Sequence, residues 1–233
     1  MVKSDIISVM KANRLFWLGR YEERVYLTLL LLNKCFDKMI DGQPDDYRHF
    51  WLKLDPLANY STTSDFTYGM MFDASNPNSV ISALVKAKDN AILLREDISS
   101  DTLSFIEMSI AHINECSSKG VTNISKLQPI LDWSLAFWGA ADQHVFNPKE
   151  FDMMQVGKDV ENIDILLRFS FPYERVTAVY ESLKRTGAPV AYLMFDEVVE
   201  QRLDGAFSNL PGSLANDALC SSLLADINKL VKV

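Results

Sequence analysis

The chain has 233 residues, 48% of them hydrophobic and 23% charged, with a formal net charge of −8. That balance suits a globular protein and excludes a disordered one. The acidic excess argues against a nucleic-acid partner, whose phosphates are gripped by Lys and Arg. No apolar run approaches the roughly 20 residues of a membrane span, and the first residues lack the apolar run and cleavage site of a leader. A cytoplasmic protein with no membrane partner is therefore expected.

Apolar residues recur at spacings of three and four almost throughout, and no strand pattern competes, which predicts an all-α multi-helix bundle. A short helix from Asp5 is expected to lead into a long one ending near Asp41-Gly42. Pro44 then opens "PDDYRHFWLKLDPLANY" at the first helical position. Asn76 offers a side-chain cap and Pro77 a first position, predicting a helix from Pro77 to about Glu96. Ser99 or Ser100 caps the next, which fades at Ser117 to Gly120. A helix with Pro129 near its start follows. Asn147-Pro148 repeats the Asn-Pro opening, and Pro172 ends or kinks the helix that follows. The segments "YERVTAVYESLKRTG", "PVAYLMFDEVVEQRL" and "SLANDALCSSLLADINKLVK" close the chain as three further helices.

The long first helix, through "RLFWLGRYEERVYLTLLLL", is apolar on both sides yet carries Arg20, Glu22, Glu23 and Arg24 in its middle. Asn13, Phe16, Trp17, Arg20 and Arg24 share one stripe at 100° per residue, with Glu23 at its edge. Two buried cations one turn apart require an anion nearby, because unpaired buried charge costs several kcal/mol. A source lies far downstream. Leu18–Leu30 aligns with Val156–Arg168, so that Gly19 meets Gly157, Arg20 meets Lys158 and Glu23 meets Glu161. The shared Gly-basic-x-x-Glu register predicts two degenerate helical repeats, about 12–40 and 148–170, in one domain spanning 1–233. The two motif helices are expected to face each other, with Glu161 neutralising the arginines.

The pattern Trp17, Leu18, Gly19, Arg20, Tyr21, Glu22, Glu23, Arg24 resembles the Alpha-E domain, or domain of unknown function 403, a bacterial helical family named for its Glu-Arg dipeptide. A second block, Asn76 to Ser99, is similar to the family's Asn-Pro-x-Ser segment (Asn76, Pro77, Ser79) with its later Asn90 and Arg95-Glu96. The family's acid two positions after the Arg, and its further Arg, are absent from the first segment, where Tyr26 and Leu30 stand. The second segment keeps them as Asp164 and Arg168 but has Glu161-Asn162 in place of Glu-Arg. "YERV", Tyr173 to Val176, is out of register and reads as a decoy. The resemblance implies association with ATP-grasp ligases and transglutaminase-like proteins, and so with peptide amide-bond synthesis or modification. The activity of the helical domain is unassigned in that family.

Other chemistry has little footing. The three histidines, His49, His112 and His144, never follow a Glu by three, as a di-iron bundle requires, and no metal site is expected. No Gly-rich phosphate loop occurs, so no cofactor is expected. Cys35, Cys116 and Cys220 sit in apolar helical patterns and read as reduced packing thiols. Two functions remain. One is a non-catalytic accessory or scaffold partner of the peptide-modifying system. The other is an enzyme or ligand-binding protein acting on a peptide or carboxylate in a pocket lined by Arg20, Glu23, Arg24 and Glu161, since Arg forks suit carboxylates. A homo-oligomer is left open.

Overall fold

The computed structural model describes residues 7–40, 46–56, 60–121, 123–209 and 217–232. Among these the chain is all-α, as its spacing predicts, with no strand and one isolated antiparallel bridge between Phe195 and Val231. Two compact units form, Tyr21–Val145 and Met1–Arg20 with Phe146–Val233. Helix α1 (Val9–Ile40) contributes its first part to the second of these and the remainder to the first. No helix among the described residues is long and apolar enough to cross a membrane.

The unit Tyr21–Val145 continues with α2 (Asp46–Leu54), α3 (Thr63–Phe72), α4 (Val80–Leu93), α5 (Arg95–Ile98), α6 (Ser100–Ser118) and α7 (Gln128–His144), the last entered through a 3-10 turn at Ile124–Leu127. Helix α6 packs on α4 and α7, and Leu103, Ile106 and Ile113 of α6 are buried, as are Leu84 and Ala87 of α4 and Ile130 and Phe137 of α7. In the other unit α8 (Pro148–Arg168) packs on α9 (Tyr173–Gly187) and α12 (Asp217–Ile227), with α10 (Ala191–Met194) and α11 (Glu197–Asn209) between them in sequence. Helix α8 is buried nearly all round, through Met153, Met154, Val156, Val160, Ile163 and Leu167, the pattern of a central helix.

Several boundaries differ from expectation for local reasons. Helix α1 starts at Val9, where Ser8 accepts from the Lys11 N–H at 3.2 Å and caps it; Asp5, the expected start of a separate helix, lies outside the described residues, as does Pro44. Helix α2 stops at Leu54, because Pro56 disfavours helical backbone at Asp55. Helix α3, "TSDFTYGMMF", was not foreseen; Thr62 caps it by accepting from the Asp65 N–H. Ser79, not Asn76, caps α4, accepting from the Ser82 N–H at 3.2 Å. The expected helix through "PVAYLMFDEVVEQRL" breaks at Phe195-Asp196. There Asp196 caps α11 through the Val198 and Val199 N–H groups, and its own N–H donates to the Leu230 carbonyl.

The decisive packing feature of the second unit is a reciprocal glycine contact between α1 and α8. A Cβ on Gly19 would collide with the Met154 carbonyl oxygen, and a Cβ on Gly157 with the Phe16 carbonyl oxygen. Each glycine thus admits the carbonyl of the residue three before its counterpart. Close backbone approach of this kind is the use that offsets glycine's low helix propensity. Gly157→Ala is expected to lower stability by about 3 kcal/mol, since backbone cannot swing aside as a side chain can. Gly139→Ala in α7, where a Cβ would meet nothing within 4 Å, is expected to raise stability by about 0.5–1 kcal/mol. Urea midpoints of the two variants check both signs.

Candidate functional site

With Gly19 and Gly157 at the crossing, the next residue of α1 and the next turn of α8 meet. Arg20 Nε donates to Glu161 Oε2 at 2.9 Å, and a terminal nitrogen approaches the same oxygen at 2.8 Å. Arg20 is 5% exposed and Glu161 1%, so the pair lies out of water, where each charge requires the other. The guanidinium also lies 5.3 Å from the Trp17 ring and 5.8 Å from the Phe16 ring, adding cation–π attraction.

The network extends. Arg20 donates to Asn228 Oδ1 at 3.0 Å, and Asn228 Nδ2 donates to Asp164 Oδ2 at 2.7 Å. Asp164, buried, accepts from Arg168 Nε at 2.6 Å one turn along α8. Two cations and two anions therefore balance through one amide. The predicted pairing of Arg20 with Glu161 is present, and the acid and Arg retained in the second segment join it. Asn228 carries no signal in sequence: it follows the last helix, 208 residues from Arg20. Asn13 and Lys158 are half-buried on α1 and α8. The out-of-register Glu174 and Arg175 are exposed, and Arg175 lies over the Phe171 ring at 4.8 Å.

The other half of the charged turn belongs to the unit Tyr21–Val145. Glu23 is buried, 4% exposed, and Arg24 half-buried with its guanidinium 5.8 Å from the Tyr21 ring. Lys86 of α4, which the sequence reading did not single out, brings its ammonium within 5.7 Å of the same ring. Burial and the Arg24 charge hold Lys86 below its usual range. Glu22 is 2% exposed and its Oε1 has no hydrogen-bond partner. Burial, helped by the neighbouring Glu23 charge, pushes its pKa up to about 8, so the group is largely a neutral acid at pH 7.

The Asn76–Ser79 block is built around Asp55, 2% exposed. Asp55 Oδ2 accepts from the Tyr60 hydroxyl at 2.7 Å and from Asn76 Nδ2 at 2.6 Å, while Oδ1 accepts from Asn78 Nδ2 at 3.1 Å. Asn76 Oδ1 accepts from the Asn78 N–H, so the amide turns the chain and anchors it to Asp55 instead of opening α4. Pro77 is exposed and Ser79 wholly buried. On α4, Asn90 donates to the Lys86 carbonyl; Arg95 and Glu96, in α5, are exposed. In sequence Asp55 lies inside the segment "PDDYRHFWLKLDPLANY" expected as one helix, and nothing there marks it.

One thiol lies beside a histidine: Cys116 Sγ is 3.6 Å from His112 Nε2. That nitrogen is also 2.8 Å from the Lys126 carbonyl, an acceptor only, so Nε2 carries its proton and is no base for the thiol. Burial pushes the Cys116 thiol up further, the reverse of an activated nucleophile. Cys35, Cys116 and Cys220 are all buried and outside any disulfide. Among the described residues no group of three or more His, Cys, Asp or Glu is placed to hold a metal ion.

No curated protein and no solved structure matches the chain. A family model does match, over residues 10–187, and its family is described as a predicted alpha-helical domain with a conserved ER motif. That span holds the whole charged turn, the Asn76–Ser79 block and the α8 segment bearing Gly157, Glu161 and Asp164, and the chain belongs to the Alpha-E family.

Proposed function

We propose that the chain is a non-catalytic accessory or scaffold protein of a cytoplasmic system in which an ATP-grasp ligase and a transglutaminase-like protein make or modify peptide amide bonds. The observation that supports this is the engagement of motif charge in the fold. Arg20, Glu161, Asp164 and Arg168 bond one another and Asn228, a lock rather than a reacting centre. The two Gly-basic-x-x-Glu segments are read as degenerate repeats, a reading the reciprocal contact of Gly19 and Gly157 supports. Purified full-length chain is expected to bind the ATP-grasp or transglutaminase-like product of a neighbouring gene at micromolar concentration. No association at tens of micromolar overturns the proposal.

A second reading rests on Arg24 and Lys86, two cations within 6 Å of the Tyr21 ring. Such a pair suits a carboxylate of a peptide ligand or substrate. Arg24→Met separates the two. A variant that folds normally but loses a carboxylate ligand favours the second reading; early melting favours the first.

A further inference from the structure

Helix α3, with Tyr60 before it and Asp73 and Ala74 after it, lines an open cavity of about 500 Å³ that the charged turn does not enter. Its walls are three aromatic rings, Tyr60, Tyr68 and Phe72, and its charged lining groups are two carboxylates, Asp65 and Asp73. Among the described residues no Lys, Arg or His lines it. Asp65, Tyr68, Gly69, Phe72 and Asp73 follow the spacing of one helix face. The two acids are eight residues apart, about 12 Å along the axis, with aromatic surface between them.

The wall is fixed before any ligand arrives. The Tyr60 hydroxyl donates to buried Asp55 and accepts from Asn76 Nδ2 at 2.9 Å. Its ring meets Trp51 at 5.5 Å and Phe66 at 5.4 Å, both edge-on. Gly69 lets the ring lie against α3, since a Cβ there would come within 2.7 Å of Tyr60 Cε1. Tyr68 and Phe72 tilt against each other at 5.3 Å. At the far end Asp73 is oriented by the Ser75 N–H and hydroxyl, at 2.8 and 2.6 Å. The C-terminal end of the α3 dipole adds negative potential beside it.

We infer that this cavity binds a linear alkyl diammonium, one ammonium at Asp65 and one at Asp73, with the alkyl body across the Tyr60, Tyr68 and Phe72 rings. Carboxylates supply charge, aromatic faces add cation–π attraction, and the rings accept the methylenes. An anion is repelled, and a neutral chain gains nothing from the two acids. The shared chemistry belongs equally to a free polyamine and to paired lysine side chains of a polypeptide. The inference stands independently of the proposed accessory role.

Isothermal titration of the full chain at low ionic strength tests it, with 1,8-diaminooctane, octylamine, spermidine and a dilysine peptide as probes. The diamine is expected to bind saturably, with octylamine about tenfold weaker. Asp65→Asn and Asp73→Asn are each expected to weaken the diamine about tenfold, and Tyr68→Leu about threefold to tenfold. Asp65 and Tyr68 are exposed, so those variants remain informative if Asp73→Asn disturbs the cap of α3. Tighter binding of spermidine than of the dilysine peptide identifies a free polyamine; the reverse identifies lysine side chains. Absence of saturable heat up to about 10 mM, or affinities within about twofold in folded Asp65→Asn and Tyr68→Leu, overturns the inference.

Discussion

Glu22→Gln is expected to remove most of the loss of stability that the protein shows as pH rises from 4.5 to 8.5. Glu22 is fully buried with one oxygen unbonded, and its pKa stands near 8 against an ordinary 4.5. The acid is therefore protonated in the fold at pH values where the unfolded chain has already lost the proton. Between those pKa values the native state binds more protons, so stability falls as pH rises. The contribution is complete below pH 4.5 and gone above about 8. The difference corresponds to about 5 kcal/mol across that window, on the scale of 1.36 kcal/mol per pKa unit. A glutamine carries no proton to lose. It keeps the shape but buries two amide hydrogens, at a cost of about 1–3 kcal/mol. The variant should thus be less stable than the parent at pH 4.5 and more stable by about 2–4 kcal/mol at pH 8.5. Asp73 and Asp196, whose hydrogen bonds hold them low, titrate below this window and leave it undisturbed. Asp159, raised by burial, acts in the same sense and persists in the variant. Urea melts of both proteins at pH 4.5, 6.5 and 8.5 decide the matter. Parallel pH profiles would mean that Glu22 is ionised and paired in the native protein.

What the sequence made legible depended on whether a residue's partner lay within its own pattern. Asn147-Pro148 and Asn76-Pro77 look alike on the page. The first opens α8, where Asn147 Oδ1 accepts from the Lys149 N–H. The second does not open α4, because Asn76 is drawn to Asp55, 21 residues earlier. Helical periodicity runs unbroken through Phe195-Asp196, and the break there is held by strand-like bonds to Leu230 and Lys232 that no local window contains. The pairing of Arg20 with Glu161 could be anticipated because each follows a glycine at fixed spacing, and the glycines set the crossing. Asn228 could not, since nothing near it marks an amide that bridges two charges. Glu22 carries no signal of its own for a different reason. Patterning assigns a charged residue to water or to a partner, and this one is buried with Oε1 unbonded.

Arg20→Met is expected to cost about 3–5 kcal/mol, because it removes the cation from a carboxylate that is 1% exposed and leaves the Asn228 carbonyl without that donor. Glu161→Met should cost a similar amount by stranding the guanidinium. The double variant places two apolar chains of matching bulk where the ions lay, beside Phe16 and Trp17. Its loss is expected to fall well short of the sum, with a coupling of about 2–3 kcal/mol. Asn228→Ala, which cuts the link to Asp164 but leaves the ion pair whole, should cost only about 1 kcal/mol. The order matters more than any one value. A lock that holds α1 on α8 through the Gly19–Gly157 crossing predicts losses ranked by how much charge is stranded. A site kept for a ligand predicts the opposite: Arg20→Met would relieve a cation held in readiness and leave melting unchanged or raised. Thermal melts of the four variants at one pH separate these outcomes, and an Arg20→Met protein as stable as the parent would remove the structural role assigned to the pair.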